Sequence, residues 1–375
     1  MEAQERINIR ELKAHKIFGP GYFIQRQMDA RGWTQKDLAD VLGVSAKEVS
    51  YLLKNKQSIT FETAQLLENA FGISAQTWLN HELRYQESKR KCEKKARQVK
   101  IKSPIYEFMP INEMIKKRWL SKVKNAEELE QQVRGFWGMD SIDFGFMQDN
   151  SSLRIACKKS ESMQNFDLYA LRCWKQKASL AAQTISVAPY NHTKLENLYN
   201  KIAQYTMDEE SGVADFLKGL NECGVKFIVL GHLQHTYLDG ATFMDNENPV
   251  IVYTGRYKRL DNFWFTIAHE IAHVLLHLKG DICFIDDDSR SNDAAEKEAN
   301  ELAQKKLKHD DIISYFSNHK GYLTNAKLSL ASAILEVNSS VIVGSLAHEG
   351  KVSYQQINTN KKNPLEMMPE CYLVE

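Results

Sequence analysis

The residues in this sequence best placed to do chemistry are His269, Glu270 and His273, within Phe265-Thr266-Ile267-Ala268-His269-Glu270-Ile271-Ala272-His273. Residues four apart share one face of a helix, so two imidazoles at this spacing can reach one Zn2+ from the same side. Glu270 follows the first histidine and points at water held by that metal, where a carboxylate can act as general base. Such a triplet also arises by chance. Here it lies on an uninterrupted amphipathic helical stretch from about Asp261 to Leu278, and that context carries the reading.

A catalytic zinc needs a third protein ligand and one open position. The next helical stretch, beginning near Asp293, supplies Glu296-Lys297-Glu298-Ala299-Asn300. Glu296 and Asn300 are four apart, so one can ligate the metal while the other hydrogen-bonds a ligand imidazole. Glu298 points to another face, and spacing alone leaves it open as a ligand. His277 is expected in a packed or supporting role. His232, His235 and Tyr237 are candidates to stabilise an oxyanion, with nothing in the sequence to select among them. Asp286-Asp287-Asp288 reads most simply as a charged loop.

A second constellation lies near the front, in Trp33-Thr34-Gln35-Lys36-Asp37-Leu38-Ala39-Asp40-Val41-Leu42-Gly43-Val44-Ser45-Ala46-Lys47-Glu48-Val49-Ser50-Tyr51-Leu52-Leu53. Thr34 can cap one helix, and Gly43 suits a tight turn. Ser45 with Glu48 forms a capping box that opens a second helix at once. Leu38, Ala39, Leu42, Val44, Val49 and Leu52 supply an apolar seam between them. Such a unit pushes the second helix into the major groove of double-stranded DNA. The candidate DNA contacts are Gln35, Ser45, Ala46, Lys47, Ser50, Tyr51 and Lys54, with Gln35 placed to fix a phosphate.

These sites need elements to hold them, and the 375 residues are enough for two or three domains. Hydrophobic content of 43% and charged content of 26% exclude a disordered chain. The net charge of +1 hides a basic stretch, Lys89 to Lys102, and an acidic one, Asp281 to Glu301. Cys92, Cys157, Cys173, Cys223, Cys283 and Cys371 are scattered without a CxxC pair, the pattern of reduced thiols in a cytoplasmic protein. Neither a secretory leader nor a membrane span is legible.

The expected organisation is a helical domain over residues 1–87, a basic linker or solvated helix end over 88–104, a helical connector over 105–204, and a domain over 205–375. Trp119, Phe136, Trp137 and Trp174 are the expected core anchors of the connector. Val225–Leu230, Val250–Tyr253 and Val341–Val343 read as strands. The fold class is therefore mostly α with a small β-sheet, α+β.

Residues from about Gly19 to Gln86 resemble the Cro/repressor-type helix-turn-helix family. Ile59-Thr60-Phe61-Glu62-Thr63-Ala64 and Trp78-Leu79-Asn80 extend the likeness to the HigA-like antitoxins. The resemblance implies a five-helix domain and a homodimer on a palindromic operator; the narrower likeness leaves a toxin partner open. Residues from about Gly212 to Tyr354 resemble the ImmA/IrrE metallopeptidase family, with a gluzincin-like HExxH fold. That likeness implies zinc bound by His269, His273 and Glu296, Glu270 as base, Asn300 in support, and a repressor as protein substrate. Two positions depart from the pattern. Leu302 stands where a phenylalanine is usual, and the usual proline is absent near Leu307-Lys308-His309. Both concern packing and the cleft rim, hence substrate preference.

Overall fold

The structure is a computed structural model that describes residues 18–148, 165–234, 236–278, 284–287, 294–319, 323–353 and 362–374. The chain divides into two compact units, residues 1–101 and 102–375.

The first unit holds five helices: α1 (Pro20–Asp29), α2 (Gln35–Leu42), α3 (Ala46–Leu53), α4 (Phe61–Phe71) and α5 (Ala75–Phe108), which runs past the unit boundary. Thr34 and Ser45 each accept a hydrogen bond from the amide three residues on, and Asp37 and Glu48 reach back to complete two capping boxes. Gly43 turns the chain between α2 and α3 at φ 68°, a left-handed backbone that costs glycine little. The expected seam is buried at Leu38, Ala39, Leu42, Val49 and Leu52, and joins Ile24, Met28, Leu67 and Trp78 in one core. The basic stretch over 88–104 is a solvated part of helix α5, the second of the two expected alternatives. It lacks apolar periodicity because α5 is solvated there on nearly all sides.

The second unit begins with α6 (Ile111–Lys116), α7 (Ala126–Trp137), α8 (Gly145–Gln148), α9 (Asn165–Gln183), α10 (His192–Tyr199), α11 (Ile202–Met207) and α12 (Gly212–Glu222). Strands β1 (Lys226–Val229), β2 (Leu238–Asp245) and β3 (Asn248–Tyr253) follow, then α13 (Leu260–Leu276), β4 (Phe284–Asp287) and α14 (Ala294–Lys306). The chain continues through α15 (His309–Tyr315), α16 (Asn325–Leu335) and α17 (Ser339–His348), and closes on two short 3-10 turns.

The sheet has the order β1-β3-β2-β4, with β1 parallel to β3 and the other pairs antiparallel. Helix α13 lies buried between this sheet and a helical layer that includes α14 and α17. The region expected as a separate connector belongs to the same unit. Trp174 donates from its indole to the Leu230 carbonyl at 3.2 Å, and Lys226 spans from Asp245 (2.7 Å) to the Ala182 carbonyl (2.8 Å).

Val341–Val343, expected as a strand, lies inside α17. An apolar run buried on several sides reads alike in both states. The helix is started by Asn338, whose side chain accepts from the Ser340 amide at 2.8 Å. Asp286 and Asp287, expected in a loop, pair with β2 as part of β4; Asp288 lies outside the described residues. Among those residues no single helix is long and apolar enough to cross a membrane.

Candidate metal centre and DNA-binding surface

Helix α13 carries His269, Glu270 and His273 with 1%, 0% and 1% of their surface exposed. Helix α14 packs against it and brings Glu296, which is also buried. Nε2 of His269 lies 2.9 Å from Nε2 of His273. The Glu296 carboxylate stands 3.2 Å from the first and 3.3 Å from the second. Among the described residues, these three side chains form the one group whose donor atoms could surround a single ion.

The outer nitrogens of both rings fix what the inner ones present. Nδ1 of His269 faces Asn300 Oδ1 at 2.9 Å. An amide oxygen only accepts, so Nδ1 carries the proton and the neutral ring turns a lone pair inward. His273 is set by a longer relay. His277 Nε2 faces the Glu298 carboxylate at 3.0 Å and therefore donates, leaving its Nδ1 to accept from His273 Nδ1 at 3.2 Å. His273 Nε2 then also turns a lone pair inward. Burial lowers the His273 pKa, which favours this neutral ring despite the nearby Glu296 carboxylate.

Two inward lone pairs and a buried carboxylate make an electron-rich cluster that repels itself unless a positive charge sits among them. Burial pushes the Glu296 carboxyl up, but the adjoining His269 and His273 rings outweigh it and hold it at about 2, so a carboxylate faces the two rings. Two imidazoles and one carboxylate are the donor set of a catalytic zinc site with one position left open, so zinc fits these residues. The ring of Phe284 on β4 stacks on His273, centroids 4.5 Å apart at 18°, and walls the cluster on that side.

Glu270, one residue beyond His269, brings its carboxylate against the sheet. Thr242 Oγ1 donates to Glu270 Oε2 at 2.5 Å. Gly240, two residues earlier on the same strand face, sits so close that a Cβ there would lie 2.4 Å from Glu270 Oε1. The Tyr199 hydroxyl donates to the Ala268 carbonyl at 2.6 Å, anchoring α13 beside the first histidine.

Sequence reasoning brought together His269, Glu270, His273, Glu296, Asn300 and, in a supporting role, His277. Glu298 is exposed and, among the described residues, meets the cluster through His277. Gly240, Thr242, Phe284 and Tyr199 were missed. The first three lie on strands without a clear alternating pattern, and nothing local in the sequence marks Tyr199. Of the oxyanion candidates, Tyr237 stands before β2 at φ 44°, where Arg256 donates to its carbonyl at 2.8 Å and lies 5.4 Å over its ring. His232 lies on the same loop, its pKa lowered by burial and by Lys117 and Arg256. His235 lies outside the described residues.

On the first unit, Gln35 opens α2, and Ala46, Lys47, Tyr51 and Lys54 line the exposed side of α3 or its end; Ser50 is half-buried. The Lys47 ammonium lies 5.6 Å over the Tyr51 ring. Ser45 is exposed, but its hydroxyl is engaged in the capping box, donating to Glu48 at 2.8 Å and accepting from the Glu48 amide at 3.2 Å.

Two family models match parts of the chain. Residues 24–78 match the helix-turn-helix family model, and residues 227–360 match the model of the IrrE N-terminal-like domain, a peptidase family. The chain carries both domains. No curated protein matches it. The matched ranges hold every candidate named on the two surfaces, and they leave out Tyr199 and most of the helices before β1.

Proposed function

We propose that this chain is a DNA-binding transcription regulator whose second domain is a zinc-dependent endopeptidase. The observation that carries the reading is the pair of inward-facing Nε2 atoms meeting Glu296, with Glu270 held beside them by the sheet. His269, His273 and Glu296 would hold Zn2+, and Asn300 and His277 would orient the two rings. Zinc, when bound, supplies a Lewis acid for water and for the peptide carbonyl. Glu270 takes the proton of the attacking water and passes it to the leaving amine.

The helix-turn-helix domain takes double-stranded DNA, with α3 in the major groove and Gln35 at a phosphate, on a homodimer at a palindromic operator. The reading takes residues 1–101 and 102–375 as the two domains, supported by the two compact units, with 105–204 part of the second. The protein substrate is a repressor. The chain's own basic stretch is the poorer candidate, because endopeptidases act on extended chain and residues 88–102 are helical.

The test compares wild type with Glu270→Gln for zinc content, operator binding and cleavage of a co-expressed repressor. Cleavage should be lost in the variant while zinc and DNA binding persist. The rival reading is a HigA-like antitoxin with a toxin partner, its second domain a sensor. Equal gene control by both proteins, with no Glu270-dependent fragment, establishes that rival instead.

A further inference from the structure

We infer that helix α10 belongs to the metal centre: Tyr199, with Asn200, clamps the two helices that carry the candidate ligands, and Tyr199 is a positioning residue for them. This rests on the zinc reading of the site and adds to it residues that lie outside both matched ranges.

Helix α10 is built as a fixed post. Asn191 caps it, its side chain accepting from the Lys194 amide at 2.9 Å. The Asn191 amide donates to the Cys223 carbonyl at 2.9 Å, which ties the start of α10 to the end of α12. Leu198 lies against α12 at Gly219, where a Cβ would meet the leucine Cδ1 at 2.9 Å. Leu195 and Tyr199 share one face of the helix. Both are fully buried, in the core that also holds Ala268 of α13 and Ala303 of α14.

The far end of this post reaches both ligand-bearing helices. The Tyr199 hydroxyl donates at 2.6 Å to the Ala268 carbonyl, part of the peptide group that leads into His269. The same ring lies 5.5 Å from the Lys306 ammonium of α14, and Asn200 Oδ1 accepts a hydrogen bond from that ammonium. Lys306 is joined to Glu296 by continuous helix, so fixing one fixes the other. His269 Nε2 and the Glu296 carboxylate stand 3.2 Å apart on separate helices. A metal site holds its donors to within about 0.2 Å of the ideal distance, so a small slide of α13 against α14 spoils the set. Burial alone would be served by phenylalanine at position 199. The hydroxyl adds a directional bond to the backbone of α13, and burial pushes its pKa up, which keeps it a donor.

The test measures metal binding by the full chain, with zinc for affinity and cobalt as a spectroscopic probe of ligand geometry. Tyr199→Phe should weaken zinc roughly threefold to tenfold in chelator competition, short of the loss of about 10–100-fold expected for groups that touch the ligand rings. The visible absorption bands of its cobalt form should shift from those of the wild type. Lys306→Met keeps a stem against the ring and removes the charge and the bond to Asn200. It should weaken zinc in the same direction by about twofold to threefold, and it decides the matter if Tyr199→Phe fails to fold. Zinc affinity and cobalt bands equal to wild type, with only the melting temperature of the metal-free protein lowered, overturn the clamp and leave the zinc reading standing. A wild-type chain that binds neither metal overturns both.

Discussion

Thr242 holds Glu270: its hydroxyl lies 2.5 Å from the carboxylate, so the proposed base is positioned by strand β2 and not by its own helix. The hydroxyl restrains the carboxylate. Thr242→Val keeps the shape and removes the donor. It should leave zinc content unchanged and slow cleavage by roughly tenfold, against the 100-fold or more expected when a general base is removed as in Glu270→Gln. Steady-state cleavage with parallel metal analysis checks both. Loss of zinc in Thr242→Val would show that Glu270 is itself a ligand.

Gly240 sets a harder limit. A methyl group there meets the Glu270 carboxylate oxygen at 2.4 Å and the Thr266 methyl at 2.9 Å. Gly240→Ala should displace the base and abolish cleavage, with a loss of stability of about 1–3 kcal/mol from overpacking. Thermal unfolding and cleavage should therefore fall together, unlike in Thr242→Val.

Metal affinity should report the relays behind the histidines. Asn300→Ala and His277→Ala each remove the acceptor that keeps a proton on an outer nitrogen. Each should weaken zinc binding by about 10–100-fold in chelator competition, and Glu298→Ala less, because that carboxylate is solvated. His269→Ala or Glu296→Ala should abolish retention. Metal loss from Glu298→Ala with retention by Glu296→Ala would reverse the ligand assignment.

On the DNA side, Lys47→Ala should reduce preference for the operator, and neutralising Lys89, Arg90 and Lys91 should weaken all duplexes alike and flatten the salt dependence. Ser45→Ala should behave differently. Its hydroxyl caps α3, so its loss should cost about 1 kcal/mol of stability in a melting experiment and leave sequence preference intact.

The legible parts of the molecule are those where spacing and local chemistry agree. Thr34, Gly43 and Ser45 with Glu48 give the helix-turn-helix because each cap is satisfied within three residues. His269 and His273 give the metal face because a helix repeats on that interval. The socket of Glu270 was hidden because it depends on a strand. Leu238-Asp239-Gly240-Ala241-Thr242 has weak strand propensity, and its pairing with β3 and β4 is long-range. Val341–Val343 failed for the opposite reason, since strong strand propensity was overridden by packing within α17.

The order of β2, α13 and α14 along the chain also fixes the order in which the parts of the centre emerge during synthesis. The socket at Gly240 and Thr242 leaves the ribosome first, and the two histidines follow. Glu296 and Asn300 come last. A nascent chain stalled before α14 has a buried-type base and two donors, but neither the third donor nor the amide that sets His269. The candidate centre is thus complete only once α14 has left the ribosome.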